Sequence, residues 1–312
     1  MKVCYIGSCG HWSQTYYTLV TIPEAEICGF APGHPREKQV SPLDPSIPFY
    51  SDYRKMLDET KPDLAIVSPL FGITGKVILE CAGRGIDVFA EKPVASSMEE
   101  LDAVIRTVKE KGIRFSAMHY LRFNPAFYQA AKMVHNGEIG QVRMLTGQKS
   151  YRYGTRPEWY ADRELYGGTI PWVGIHAIDW IAHFARKPFR SVTAQSIGKD
   201  PEMAALCQFT LDDNIIASVN IDYYRPSTAP THGDDRVRCV GTEGVIEVCE
   251  NKITLINRDG CNTFAPDTAP DMFREFLAGN APIPAEEIFH ITKAAIAARD
   301  SADSGKTVWI EK

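Results

Sequence analysis

Short apolar runs alternate with amphipathic stretches through the first 120 residues, a rhythm that few folds accept. The runs cover residues 3–7, 26–31, 64–68, 87–90 and 114–118. Each is too short for a helix and apolar enough to be a strand buried on both faces of a parallel sheet. The clearest helix between them covers residues 97–111. There Ser97 and Glu100 have capping-box spacing, Leu101, Val104, Ile105 and Val108 form one apolar face, and Gly112 closes the turn. Residues 71–84 precede Gly85 in the same manner. Such a β-α-β-α order predicts a doubly wound α/β domain. Residues 32–48 interrupt it with prolines at 32, 35, 42, 45 and 48, which exclude a regular helix and predict a surface loop returning near Phe49.

From about residue 120 the pattern changes. Asn124 and Pro125 have the chemistry of a helix start, and Asn136-Gly137 ends that helix. A second helix is expected over residues 175–186. Strands rich in β-branched residues follow over 191–197, 204–211, 215–223, 237–240, 245–249 and 252–257. Asp212-Asp213-Asn214 and Gly241-Thr242-Glu243-Gly244 read as hairpin turns. A helix over 286–301 and a strand over 307–310 complete an α+β domain with an open, largely antiparallel or mixed sheet. A chain of 312 residues accommodates both, divided as 1–119 and 120–312.

Charge and composition narrow the partners. Thirty-four Lys and Arg against 39 Asp and Glu leave a net charge of −5 without a basic run, which argues against a nucleic-acid surface. No apolar run approaches the roughly 18 residues of a membrane span. The first seven residues read as a strand rather than a secretory signal. The eight cysteines are scattered, with neither a C-x-x-C pair nor zinc spacing, as befits free thiols in the cytoplasm.

Chemistry is sought first at the turn after the first strand. A dinucleotide turn reads G-x-G-x-x-G, which permits a tight bend and close approach of a pyrophosphate to a helix N-terminus. Here the run is Gly7-Ser8-Cys9-Gly10-His11-Trp12. Cys9 and Trp12 replace two glycines, and Trp12 is expected to crowd the helix–strand contact. Residues 7–10 are still small enough for a turn with N–H groups facing a phosphate, and the helix dipole is expected to lower the Cys9 thiol. The acidic residue awaited some 20 positions later is missing, since the second strand ends at Ala31. Arg36 is either a 2′-phosphate partner or plain surface.

The end of the fourth strand, Val88-Phe89-Ala90-Glu91-Lys92-Pro93, resembles the E-K-P segment of the Gfo/Idh/MocA oxidoreductases. Four further segments match in order: Arg122-Phe123-Asn124-Pro125; Asn136-Gly137-Glu138-Ile139-Gly140; Gly167-Gly168 with His176-Ala177-Ile178-Asp179; and the closing stretch from Ala298-Arg299-Asp300-Ser301 to Gly305-Lys306-Thr307-Val308. The resemblance implies a Rossmann domain holding NAD or NADP, and hydride transfer at a hydroxyl-bearing carbon of a sugar, polyol or derivative. It implies catalytic Lys92, as the cation, and His176, as the base, with a cis Lys92–Pro93 peptide. Cofactor contacts are expected from Gly7, Ser8, Cys9, Gly10, His11, Trp12, Ala31, Ser68, Pro69, Glu91, Lys92 and Arg122. Substrate contacts are expected from Tyr120, Trp159, Trp172, His176 and Asp179. A homodimer or homotetramer through the C-terminal sheet is also implied.

Where the family carries an aspartate four residues before the histidine, this chain has Trp172. Tryptophan relays no proton, but it stacks on a sugar ring or a nicotinamide. Asp179 is left either to orient His176 or to form a salt bridge, and Arg122 to meet a cofactor amide or a neighbouring carboxylate. His176, Asp179 and His183 share a helix face, yet no fourth ligand is evident, so no metal is expected. Three functions remain open: an NAD(P)-dependent oxidoreductase, a lyase or glycosidase that oxidises and re-reduces its substrate, and a non-catalytic ligand sensor.

Overall fold

The computed structural model describes residues 1–37 and 44–311, so Pro42 of the proline-rich loop lies outside the described residues. The chain divides into two compact units. One comprises Met1–Met118, Glu164–Gly167 and Met272–Thr292; the other comprises His119–Arg163, Gly168–Asp271 and Lys293–Lys312.

The first unit is built from β1 (Lys2–Ile6), α1 (Trp12–Leu19), β2 (Glu26–Ala31), α2 (Tyr53–Thr60), β3 (Leu64–Val67), α3 (Thr74–Gly83), β4 (Asp87–Ala90), α4 (Met98–Lys111) and β5 (Phe115–Ala117). All five strands are parallel, in the order β2-β1-β3-β4-β5. Phe49 adds one parallel bridge to Phe30, so the proline-rich loop does return to the sheet there. Counting that bridge as a reduced strand gives the 3-2-1-4-5-6 order of a Rossmann sheet, which places the reversal between β1 and β3. Residues 3–6, 64–67 and 88–90 have no exposed surface, which explains their unbroken apolar runs.

Helix α4 starts and stops where Ser97 and Gly112 predict. The Ser97 hydroxyl accepts the Glu100 N–H at 3.2 Å, and Gly112 takes φ +63°. The capping box is only half formed, because the Glu100 carboxylate turns instead to the N–H and hydroxyl of Ser96, at 2.7 and 3.0 Å.

The second unit follows with α5 (Pro125–His135), capped by the Asn124 side chain, and β6 (Val142–Tyr151). The chain then forms a short helix α6 (Arg163–Tyr166), a π-helical turn Ile170–Gly174 and α7 (Ile175–Ala185). Strands β7 (Phe189–Ile197), β8 (Ala204–Leu211), β9 (Ile216–Asp222), β10 (Gly233–Gly241), β11 (Gly244–Cys249), β12 (Lys252–Asn257) and β13 (Gly260–Phe264) come next. Helix α8 (Met272–Leu277) and the first part of α9 (Ala285–Ser304) are counted with the first unit, and the rest of α9 and β14 (Val308–Trp309) with the second. The nine-stranded sheet runs β13-β12-β11-β10-β6-β9-β8-β7-β14 and is antiparallel except for the β6–β9 pair.

Its central strand β6 and edge strand β13 carry no strand signal in the sequence. On β6 the inward positions include Gly147 and Lys149. A Cβ on Gly147 would lie 3.2 Å from that of Ala177, so α7 packs directly on the strand there. Lys149 is buried with its ammonium 2.5 Å from Asp235, 4.4 Å from the ring centre of Tyr151 and 5.4 Å from that of Trp180. Two of the strand's core positions are thus a glycine and a cation, and the apolar alternation disappears. The sheet has one open face: along β8, Ala205, Cys207, Phe209 and Leu211 are buried while Leu206, Gln208 and Thr210 are exposed.

Candidate functional site

The β1–α1 turn lies at the carboxyl edge of the parallel sheet, beside the reversal in strand order. Gly7 has φ +82°, and a Cβ there would come within 2.4 Å of the Ser68 carbonyl and 2.5 Å of the Pro69 Cα. That close approach to the end of β3, rather than the tight bend alone, demands glycine. The turn is then tied down. The Gly7 N–H donates to the carbonyl of Ala31 and the Cys9 N–H to that of Ser68, each at 2.8 Å, while the Ser68 hydroxyl donates to the Cys9 carbonyl. Among the described residues, the N–H groups of Gly10, Trp12 and Ser13 donate to no other group. They leave α1 with the donor set that suits an anion.

Two expectations about this turn are corrected. Trp12 does not crowd the helix–strand contact. Its ring meets Phe30 and Tyr5 edge-on at 5.4 and 6.0 Å, and those two stack at 5.3 Å, so aromatic packing fills the space that a glycine would leave open. The Cys9 thiol is not lowered either: burial, followed by the charges of Glu37 and Glu91, pushes it far up.

At the end of β4 the Glu91 carboxylate has no exposed surface. It accepts the His11 N–H at 2.6 Å and the Lys92 N–H at 3.1 Å, and His11 Nδ1 lies 3.1 Å from both of its oxygens. Lys92 Nζ is 3.8 Å away, on a side chain only 1% exposed. Burial alone would raise this carboxyl. The His11 and Lys92 charges with the N–H bonds outweigh it and hold the group below the usual carboxylate range. The Lys92–Pro93 peptide is cis, as the resemblance implied.

Sequence reasoning found no acid near the tip of β2, yet the fold supplies one. Glu37 accepts the Gly33 N–H at 2.9 Å and the Leu70 N–H at 2.8 Å, joining the loops that follow β2 and β3. Burial raises its carboxyl to about 7, against the pull of those backbone bonds. Its only sequence signal was a glutamate six residues beyond Ala31, inside the proline-rich stretch.

In the second unit, α7 is apolar nearly all round because it is buried nearly all round. Inside it, His176 and Asp179 are 2% and 1% exposed. Asp179 Oδ1 accepts from Arg122 Nε at 3.1 Å and Nη2 at 2.5 Å, and His119 Nδ1 lies 3.5 Å away. The structure therefore joins Arg122 to a neighbouring carboxylate and puts Asp179 in a salt bridge. Burial would raise the Asp179 carboxyl, but Arg122 and His119 hold it far below its ordinary range. Burial, with Arg122 next, pushes His183 down to about 3. Trp172, 9% exposed, sits in the π-helical turn that leads into α7, its backbone N–H donating to the Gly168 carbonyl at 3.1 Å. Gly168 has φ +106°, and a Cβ there would meet Arg163 and Glu202 at 3.2 Å. Tyr120 is half-buried at the start of a short 3₁₀ turn, and Trp159 packs on Tyr160 with ring centres 4.4 Å apart. Among the described residues, no cluster of three or more His, Cys, Asp or Glu is arranged to hold a metal.

Comparison with known proteins agrees with this architecture. Residues 1–119 match a family model described as an oxidoreductase family with an NAD-binding Rossmann fold, and residues 127–247 match the GFO/IDH/MocA C-terminal domain. A solved structure from Thermotoga maritima is 38% identical, superposes with a TM-score of 0.95, and covers 99% of this chain and 100% of its own. The scyllo-inositol 2-dehydrogenase (NAD(+)) of Bacillus subtilis is 26% identical over 284 residues, 87% of this chain and 80% of its own. The 2,7-anhydro-N-acetylneuraminate hydratase of Mediterraneibacter gnavus is 31% identical over 106 residues, 33% of this chain and only 28% of its own. With both units matched in order, the chain belongs to the Gfo/Idh/MocA oxidoreductase family.

Proposed function

We propose that the protein transfers a hydride between NAD(P) and a hydroxyl-bearing carbon of a sugar, polyol or sugar derivative. The observation that carries this reading is the carboxyl edge of the parallel sheet. There Lys92 stands beside a buried carboxylate, and the β1–α1 turn keeps the N–H groups of Gly10, Trp12 and Ser13 for an anion. The residues present fit a dinucleotide: those N–H groups would hold the pyrophosphate and Glu37 would meet ribose hydroxyls. When bound, the nicotinamide supplies the hydride-accepting or hydride-donating carbon.

The chain's own residues do the rest. Lys92 places a positive charge where the substrate oxygen becomes an alkoxide, and His176 takes the hydroxyl proton. Trp172 offers an apolar ring to the substrate in place of a carboxylate. Arg122 and Asp179 act through each other to hold α7 in place. Replacing either Lys92 or His176 by alanine should lower turnover by about 10²–10⁴-fold, read as formation of reduced nicotinamide against a panel of sugars and polyols. Full activity in both variants would refute the assignment.

The open face of the large sheet, where Met144, Leu206, Ile216 and Trp309 are exposed, is proposed to cover a second copy of the chain. Sedimentation should detect a dimer or tetramer, and Leu206→Glu should dissociate it. No helix among the described residues is long and apolar enough to cross a membrane. The eight free cysteines suit the cytoplasm, where thiols stay reduced.

A further inference from the structure

We propose that the substrate is an acidic sugar derivative, its carboxylate or phosphate received by the guanidinium groups of Arg152 and Arg156 in the loop that leaves β6. The inference rests on the oxidoreductase reading above and deepens it by naming a substrate class. All the residues concerned belong to the second unit, which also carries Trp172 and His176.

Tyrosines wall this loop. The Arg156 Cζ lies 5.3 Å from the ring centre of Tyr160, 5.7 Å from that of Tyr223 and 6.0 Å from that of Tyr153. Tyr153 meets Tyr223 edge-on at 5.2 Å, and Tyr151 meets His232 at 5.0 Å. Such rings orient a guanidinium and exclude water from it without neutralising it. Arg156 Nη2 donates to the Arg152 carbonyl at 3.3 Å, which brings the two residues together. Burial, followed by the charges of Arg156, Arg152 and Lys149, draws His232 below its ordinary value. The cluster shares a sheet face with α7. A Cβ on Gly147 would meet Ala177, and one on Gly174 would meet Ile221, which pairs with Lys149. Tyr151 and Tyr223 stand two residues further along β6 and beyond β9, continuing that face past the turn that holds Trp172.

What the two guanidiniums lack is a counter-charge. Among the described residues, no carboxylate lies within ion-pair distance of either. The acids on the neighbouring strand ends are engaged elsewhere. Asp235 pairs with Lys149 at 2.5 Å, and Asp234 accepts from Arg236 Nε and Nη2 at 2.7 and 2.9 Å. Asp222 accepts the Ser150 hydroxyl and the Tyr224 N–H, each at 2.9 Å. The Nε atoms of Arg152 and Arg156 are both buried, and neither has an acceptor. Buried donors are nearly always hydrogen-bonded in folded proteins, so two open ones on neighbouring cations point to a partner that binds there. Forked N–H groups of this kind match the oxygens of a carboxylate or a phosphate. The second oxygen of Asp235 is also buried and open, an acceptor suited to a sugar hydroxyl. The tyrosine rings offer the apolar face of a sugar a surface to stack on. A neutral sugar would use the rings and the acceptor and leave both cations uncompensated.

Two measurements on the full chain test this: turnover with NAD and NADP, and calorimetric titration. Both use glucuronate, galacturonate, gluconate and glucose-6-phosphate against glucose and galactose. At least one acid should exceed its neutral counterpart in kcat/KM and in affinity by about 10–100-fold, the worth of hydrogen bonds to a charged group. Preference among the acids distinguishes a carboxylate from a phosphate, and either supports the proposal. Arg152→Gln and Arg156→Gln should each cut the acid-to-neutral ratio by about tenfold or more, through KM rather than kcat. Arg156→Lys keeps a cation on the tyrosine rings and loses the fork, so it should retain the fold and only part of the ratio. Equal or better use of the neutral sugars, or an acid preference that survives both glutamine variants, overturns the proposal and leaves the oxidoreductase reading standing. Failure of all four acids to bind at millimolar concentration also overturns it. Acid binding that needs both arginines, without reduction of either nicotinamide, upholds the anion site and overturns the oxidoreductase reading instead.

Discussion

Glu91 at the end of β4 and Asp179 inside α7 are both buried carboxylates, each drawn below its ordinary range, yet their partners differ in kind. Asp179 is held by the guanidinium of Arg122, which keeps its charge at every pH the fold survives. Glu91 is held by the His11 ring and by the backbone N–H groups of His11 and Lys92, with the Lys92 ammonium 3.8 Å away. A permanent pair suits a helix that must stay in place. The difference separates a guanidinium–carboxylate pair inside the second unit from a carboxylate held mainly by backbone N–H groups and an imidazole at the sheet edge of the first.

The strongest challenge to this comparison is Arg122→Met. It strands a carboxylate inside α7 and should cost about 3–5 kcal/mol in urea unfolding. The Asp179 contribution is present above the ordinary aspartate value and is lost as pH falls through its depressed folded value. The loss caused by Arg122→Met should therefore shrink in acid, where the stranded carboxyl protonates.

His183, in the same helix, gives a second signature. Its folded value near 3 lies below its ordinary 6.5, so its contribution is present above 6.5 and erodes as pH falls through that window. At a pH about 1.5 units below 6.5 the loss should be about 2 kcal/mol, and His183→Leu should flatten it. Glu91→Gln should cost less, about 1–1.5 kcal/mol, because the amide still accepts the His11 and Lys92 N–H groups. If Glu91→Gln costs as much as Arg122→Met, the distinction between the two carboxylates fails. Ser97→Ala touches neither and should cost about 1 kcal/mol, a background against which the others are judged.

Much of this molecule is legible in its sequence, and the illegible parts have physical reasons. The parallel strands follow from apolar runs, and both ends of α4 and the start of α5 from caps at Ser97, Gly112 and Asn124, which are local signals. β6 escaped because Gly147 and Lys149 occupy its core positions, met by Ala177 of α7 and by Asp235 of the neighbouring strand β10. The lysine of the E-K-P segment was recognisable. The partner of its neighbouring glutamate was not, since His11 lies 80 residues away in sequence. Glu37 escaped because its loop, not its distance from β2, brings its carboxylate to Gly33 and Leu70. The π-helical turn at Ile170–Gly174 leaves no compositional mark, so spacing alone did not show how Trp172 enters α7.

The most direct measurement is a titration of the intact chain with NAD, NADH, NADP and NADPH, followed by quenching of its tryptophan fluorescence. Saturable binding of at least one of the four, weakened when Gly7 is replaced by valine, is the predicted result. The absence of binding by all four at millimolar concentration would contradict the proposed activity, whatever the fold.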